Sequence, residues 1–137
     1  MNLATVVSEI VSCIRTGIRV YYLHDTGNLN TVTTVYDVAR HLNSKVSIST
    51  PECLVRDLTT YKSRAVVSMI VFDNDTNMTK VIRDVQNYIS RYRNTTFFIC
   101  STVPPDVQFH IESGTEQYRD YHNTVKTYDL NGLRYPM

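Results

Sequence analysis

The stretch Ile18-Arg19-Val20-Tyr21-Tyr22-Leu23-His24-Asp25-Thr26-Gly27-Asn28-Leu29-Asn30-Thr31 changes character twice within fourteen residues. Ile18 to Leu23 is a short β-branched and aromatic run suited to a buried strand. The next eight residues, His24 to Thr31, are polar and include one glycine. They lead into Val32, Val35, Tyr36, Ala39 and Leu42, whose spacing lines one face of a helix. Strand, loop and helix in this order form the first half of a parallel crossover unit.

The flanking segments extend the pattern. Leu3, Val6, Val7, Ile10, Val11 and Ile14 predict an amphipathic helix over residues 3–15, which Gly17 ends. Lys45 to Thr50 alternates as a strand does, with Val46 and Ile48 expected inward, and Pro51-Glu52 opens a short helix through Leu54, Val55 and Leu58. Ala65 to Phe72 is an unbroken apolar strand ended by Asp73-Asn74-Asp75-Thr76-Asn77. Val81, Ile82, Val85, Tyr88, Ile89 and Tyr92 mark a further helix, and Thr95 to Cys100 the next strand. Short strands are expected at Gln108 to Ile111 and from Thr124 to Leu130. Strands that alternate with helices and are apolar along their whole length call for a mainly parallel sheet covered on both faces. The expected fold class is therefore α/β, a three-layer α/β/α arrangement, in a single domain over residues 1–137. Function in such sheets belongs to the loops at the carboxyl ends of the strands, here those after Leu23, Phe72 and Cys100.

The first of these loops resembles the phosphate-binding loop of P-loop NTPases of the AAA+ type. His24 to Thr31 falls on the pattern Gly-x-x-Gly-x-Gly-Lys-Thr, after a strand and before a helix, with Gly27 in the middle-glycine place and Thr31 in the magnesium-binding place. The outer glycines are replaced by His24 and Leu29, and the phosphate-binding lysine by Asn30. A P-loop wraps backbone N–H groups around phosphate and adds a mobile positive charge. Losing a charge-assisted hydrogen bond costs roughly 1.5–3 kcal/mol, and a leucine in a left-handed conformation at Leu29 about 1–2 more. The second loop resembles the family's hydrophobic-strand-then-Asp-Glu motif, with Asp73 matching and Asn74 standing where the general base belongs. An amide is no general base. Phe97 to Thr102 takes the place of the family's sensor strand, with Ser101 or Thr102 as the polar end, and Arg119 the place of an arginine that reaches a neighbouring subunit. The chain ends soon after its last strand, so the helical lid of that family is expected to be absent. What the resemblance implies is a fold kept and a phosphate grip lost, with no catalytic residues and no cofactor.

Composition narrows the function classes. The formal net charge is +1, so no long-range field draws the molecule to nucleic acid or anionic lipid. Three cysteines at scattered positions, Cys13, Cys53 and Cys100, read as buried free thiols of a cytoplasmic protein. Glu9 interrupts the only candidate signal segment, and the longest apolar run is too short to span a membrane. His24, His41, His110 and His122 show no metal-ligand spacing with the cysteines. A receiver-type phosphoacceptor reading uses Asp25, Asp73, Thr102 and Lys126; a nucleic-acid reading uses Lys80, Arg83, Arg91 and Arg93, with Tyr88 and Tyr92 between them. The leading expectation is a non-catalytic domain that acts through protein contacts or self-association, as an accessory, regulator or inhibitor of an ATPase assembly, of a size that suits a viral accessory protein. Weak nucleotide or nucleic-acid binding is the alternative. Ten tyrosines in so short a chain favour an interface, and Tyr118, Arg119, Tyr121 and Tyr128 form the expected contact surface.

Overall fold

The computed structural model describes residues 2–54, 56, 66–72, 78–88, 92, 94–102 and 125–135. Helix α1 (Leu3–Arg15) is followed by β1 (Val20–His24), α2 (Leu29–His41), β2 (Lys45–Ser49), β3 (Val66–Phe72), α3 (Met78–Tyr88), β4 (Thr95–Ser101) and β5 (Val125–Asp129). The five strands form one parallel sheet in the order β2-β3-β4-β1-β5. The fold is α/β, as the alternation of strand and helix patterns predicts.

Local chemistry sets the ends of α1. The Asn2 side chain accepts from the Thr5 amide at 2.9 Å, which caps the first turn. At the other end Gly17 has φ +103°, its amide donates to Ile14 O, and the Ile18 amide donates to Cys13 O. This paired pattern is a Schellman stop, and only a residue without Cβ adopts it cheaply.

Alternate residues of β1 belong to two hydrophobic clusters. Tyr21 and Leu23 join Leu3, Val6, Val7 and Ile10 of α1, Val35 and Val38 of α2, and Met69, Phe98 and Tyr128. Val20 and Tyr22 join Leu54, Ile70, Val81 and Val85 of α3, Phe97 and Ile99. Every residue of β1 and of β4 is buried, which is why these strands carry unbroken apolar runs. Tyr21 stacks on Phe98 with ring centroids 5.1 Å apart and donates its hydroxyl to Ile18 O at 2.8 Å, so the polar tip is satisfied inside the core.

Two expected faces are met only in part. On α2 the buried residues are Thr31, Thr34, Val35, Val38 and Ala39, whereas Val32 and Tyr36 point to solvent. The helix seats the stripe that meets α1, β2 and β3, and two threonines complete it in place of two larger apolar residues. On β2 Val46 is half-buried and packs on the first cluster as expected, whereas Ile48 on the same face is 56 % exposed and Ser47 and Ser49 of the other face are buried. An edge strand pairs on one side only, so its alternation does not by itself say which face is covered. Cys100 is buried as expected, but Cys13 and Cys53 are only partly so; all three are free. The short helix begins at Leu54, and its continuation, like the strand at Gln108 to Ile111, lies outside the described residues. No helix among the described residues is long and apolar enough to cross a membrane.

Candidate functional site

The strand order decides which loops meet. From β1 the chain crosses β4 and β3 to reach β2 at the far edge, and from β4 it crosses β1 to reach β5. The connections from β1 and β4 therefore leave in opposite directions, which makes the gap beyond these two strands the topological switch point of the sheet. Across it the Asp25 amide donates to Ser101 O at 3.2 Å, and His24 Nδ1 lies 3.3 Å from the same oxygen. His24, Asp25, Thr31 and Ser101 are all buried there.

The loop between β1 and α2 is held by its own protein. The Asn30 amide, in the first turn of α2, donates to Asp25 Oδ2 at 2.9 Å. The Thr26 amide and hydroxyl both donate to Asn131 Oδ1 at 3.0 Å, and the Asn28 amide donates to Asp25 O at 3.0 Å. Four loop amides, those of Asp25, Thr26, Asn28 and Asn30, are thus directed to internal acceptors. The Asp25 carboxylate occupies the anion position that the partial positive charge of a helix N-terminus favours.

Two residues of the P-loop resemblance, Asn30 and Thr31, have a visible task. Asn30, in the lysine place, donates through Nδ2 to Leu130 O at 2.8 Å and Leu133 O at 3.1 Å, tying the segment after β5 to α2. Thr31, in the magnesium place, is buried, and its hydroxyl lies 2.8 Å from Asn28 O and 3.1 Å from Asn28 Oδ1. Gly27 has open space where a Cβ would stand, so no close approach requires a glycine there. The left-handed residue of the loop is Asn28, with φ +57°, and not Leu29, which is the first residue of α2. Asparagine tolerates that conformation, so the strain expected at Leu29 does not arise. A nucleotide phosphate with magnesium does not fit these residues: a carboxylate already sits on the helix end, and the lysine and threonine places are spent on internal bonds.

The remaining expected residues divide. Tyr128, expected at a contact surface, is 9 % exposed, and its hydroxyl donates to Glu9 Oε1 at 2.8 Å. Burial, and next the Glu9 carboxylate, push its phenol well above the usual range. β5 pairs along β1 and turns this tyrosine into the core beside α1. Tyr88 and Tyr92 pack against the second cluster, as expected for core residues, with ring centroids 6.3 Å apart. Burial raises the Cys100 thiol above its ordinary value, partly offset by the Thr31 hydroxyl, which leaves it an inert packing group. Asp73, Asn74, Tyr118, Arg119 and Tyr121 lie outside the described residues. Among the described residues no group of three His, Cys, Asp or Glu side chains is placed to hold a metal ion.

Sequence reasoning missed one surface. Leu29, Val32 and Tyr36 of α2 are 73, 38 and 47 % exposed, and beside Tyr36 lies a hollow of about 510 Å³ lined by Thr33, Asp37, Arg40 and Tyr135. Asp37 is the hinge of this corner: Tyr135 donates to its Oδ2 at 2.6 Å, and Arg40 pairs with its Oδ1. The only signal in the sequence was a helix with more apolar residues than one face holds.

No protein-family model matches this sequence, and no curated protein matches it.

Proposed function

We propose that this chain is a three-layer, P-loop-like α/β domain without catalytic activity, which acts through protein contacts as an accessory, regulator or inhibitor. The observation that carries the reading is the Asp25 carboxylate on the Asn30 amide at 2.9 Å, the place where a P-loop receives phosphate. A bound phosphate there would meet a buried negative charge and would have to break an existing charge-assisted bond. Two further features support it. The strand order sets β4, the sensor strand of the resemblance, between β1 and β3, whose loops carry the two motifs. The exposed apolar residues of α2 give the domain something to contact a protein with.

The rival readings find less support. A receiver-type site needs its acids after adjacent first and third strands, as in the order 2-1-3-4-5; here β4 stands between β1 and β3. For nucleic acid, Lys80 is paired with Asp84 at 3.1 Å, and Tyr88 and Tyr92 are packed in the second cluster, so neither ring is a stacking platform.

Calorimetric titration with ATP and ADP, with and without magnesium, tests the proposal on the wild-type chain and on Asn30→Lys. No binding and no hydrolysis are expected for either, because restoring the lysine leaves the Asp25 carboxylate in place. Micromolar affinity of the wild type for ATP, or turnover, overturns the reading.

A further inference from the structure

We propose that Asn131 is a self-modification site, at which attack by the Gly132 nitrogen yields isoaspartate and frees residues 133–135 from α1 and α2. Among the asparagines of this chain only Asn131 precedes a glycine, the residue whose nitrogen no side chain shields. Both residues are exposed, and nothing stands within 4 Å of the place a Gly132 Cβ would take. The Gly132 amide donates to no acceptor among the described residues. The amides that follow Asn2, Asn43 and Asn94 are by contrast engaged: Leu3 donates to Arg134 O at 3.0 Å, Ser44 to Ala39 O at 2.9 Å and Thr95 to Tyr92 O at 3.0 Å. Asn30 and Asn87 lie within helices.

The turn that carries the pair is closed by the Leu133 amide on Leu130 O at 3.2 Å, and Gly132 at φ +73° gives it the type II form. In that form the Gly132 nitrogen is turned away from the Asn131 side chain. Cyclisation therefore waits on rotation about the Asn131 Cα–C bond, which breaks the bond that closes the turn. Asn30 sets how often this happens, because its Nδ2 donates to Leu130 O at 2.8 Å and Leu133 O at 3.1 Å and so clamps the first and last residues of the turn. The Asn131 side chain is held as well: Oδ1 accepts from the Thr26 amide and hydroxyl, and Nδ2 donates to Asp129 Oδ1, each at 3.0 Å.

When the turn opens, the Gly132 nitrogen gives its proton to hydroxide and its electron pair to Asn131 Cγ. The Cγ–Nδ2 bond breaks, and Nδ2 takes a proton from water and leaves as ammonia. Water then opens the resulting imide ring. Cleavage between Asn131 C and the Gly132 nitrogen leaves isoaspartate, with the chain running through Cγ, whereas cleavage at Cγ leaves aspartate. An amide nitrogen is exchanged for oxygen, and nothing is oxidised or reduced. The isoaspartyl backbone is longer by a carbon atom, so Leu133 O leaves Asn30, Arg134 O leaves the Leu3 amide and Tyr135 leaves Asp37. The new carboxylate also faces Asp129, to which Nδ2 donated before, and like charges keep the segment from returning.

The test incubates the full chain at neutral pH and follows the tryptic peptide Thr127–Arg134 by mass spectrometry, with enzymatic methylation of isoaspartate to tell the two products apart. The folded wild type is expected to convert at Asn131 before any other asparagine, and mainly to isoaspartate. Asn30→Ala should convert about tenfold faster, the factor that loss of its turn-clamping hydrogen bonds brings. Hydrogen exchange at the Leu3 amide should quicken in step with conversion. A folded chain still intact at Asn131 when the urea-unfolded chain has converted fully would overturn the inference. So would an Asn30→Ala rate equal to that of the wild type, or exchange at Leu3 that does not follow conversion. If Asn30→Ala does not fold, the folded and unfolded wild type and the exchange at Leu3 decide the matter.

Discussion

At the scale of single residues, the connection between β1 and α2 is an internal brace. Asp25 reaches forward to the Asn30 amide, and Asn30 reaches across to two carbonyls beyond β5, so the loop is bonded both along the chain and across the sheet. Asp25→Ala removes the carboxylate that serves α2 as its cap and is expected to cost about 1–2 kcal/mol. Urea denaturation measures this as a lower midpoint with an unchanged slope. A loss near zero would mean that water replaces the carboxylate and that the helix end is free for another anion. The Asn28 backbone, at φ +57°, makes the left-handed turn that leads into α2.

At the scale of elements, the α2 helix separates two properties that hydrophobic spacing runs together. Its sequence contains Val32, Val35, Tyr36, Val38, Ala39 and Leu42, more apolar positions than one stripe holds, so the spacing alone allows more than one face. Packing on α1, β2 and β3 buries the face that includes Thr31 and Thr34. Val38→Ser, in the core, is expected to destabilise by about 2–4 kcal/mol, through a cavity and a buried hydroxyl. Val32→Ser should stay within about 0.5 kcal/mol. Equal losses in thermal or chemical unfolding would place Val32 in the core and contradict the observed face. On β2 Val46 packs on the first cluster as the alternation predicts, while Ile48 on the same face is exposed and Ser47 and Ser49 are buried. Helix α1 had no such freedom: its apolar residues form one stripe, and its predicted span, its buried face and its glycine stop all match the structure.

At the scale of the molecule, three tyrosines in the core make stability depend on alkaline pH. Burial raises the phenols of Tyr21 and Tyr128 well above the ordinary value of 10.0 and pushes Tyr22 up to about 12, with the Ser101 hydroxyl opposing the shift at Tyr22. Below pH 10 folded and unfolded chains both keep these protons, and the contribution to stability is complete. Above it the unfolded chain loses them first, binds fewer protons than the native state, and gains relative stability as pH rises. Each such tyrosine removes about 1.4 kcal/mol per pH unit in that window, against a total of roughly 5–15 kcal/mol for a domain of this size. Circular dichroism followed from pH 9 to 12 should show cooperative unfolding that begins above pH 10, together with ionisation of the buried phenols. Phenols that titrate near pH 10 while the fold persists would show that they are reached by water.

What the sequence by itself determined is local: the α/β class, the order of the described helices and strands and the stop at Gly17, while of the polar stretch His24 to Thr31 only Asp25 to Asn28 lie between β1 and α2. These follow from periodicity and backbone preference, which act between near neighbours. What only the tertiary structure decided depends on groups far apart in the chain. Pairing of β5 with β1 buried Tyr128 against Glu9, 119 residues away. The order β2-β3-β4-β1-β5 brought Ser101 to Asp25, and the turn after β5 brought two carbonyls to Asn30. Which side of α2 faces water was settled in the same way, because a helix with two apolar faces buries the one whose shape its neighbours can fill.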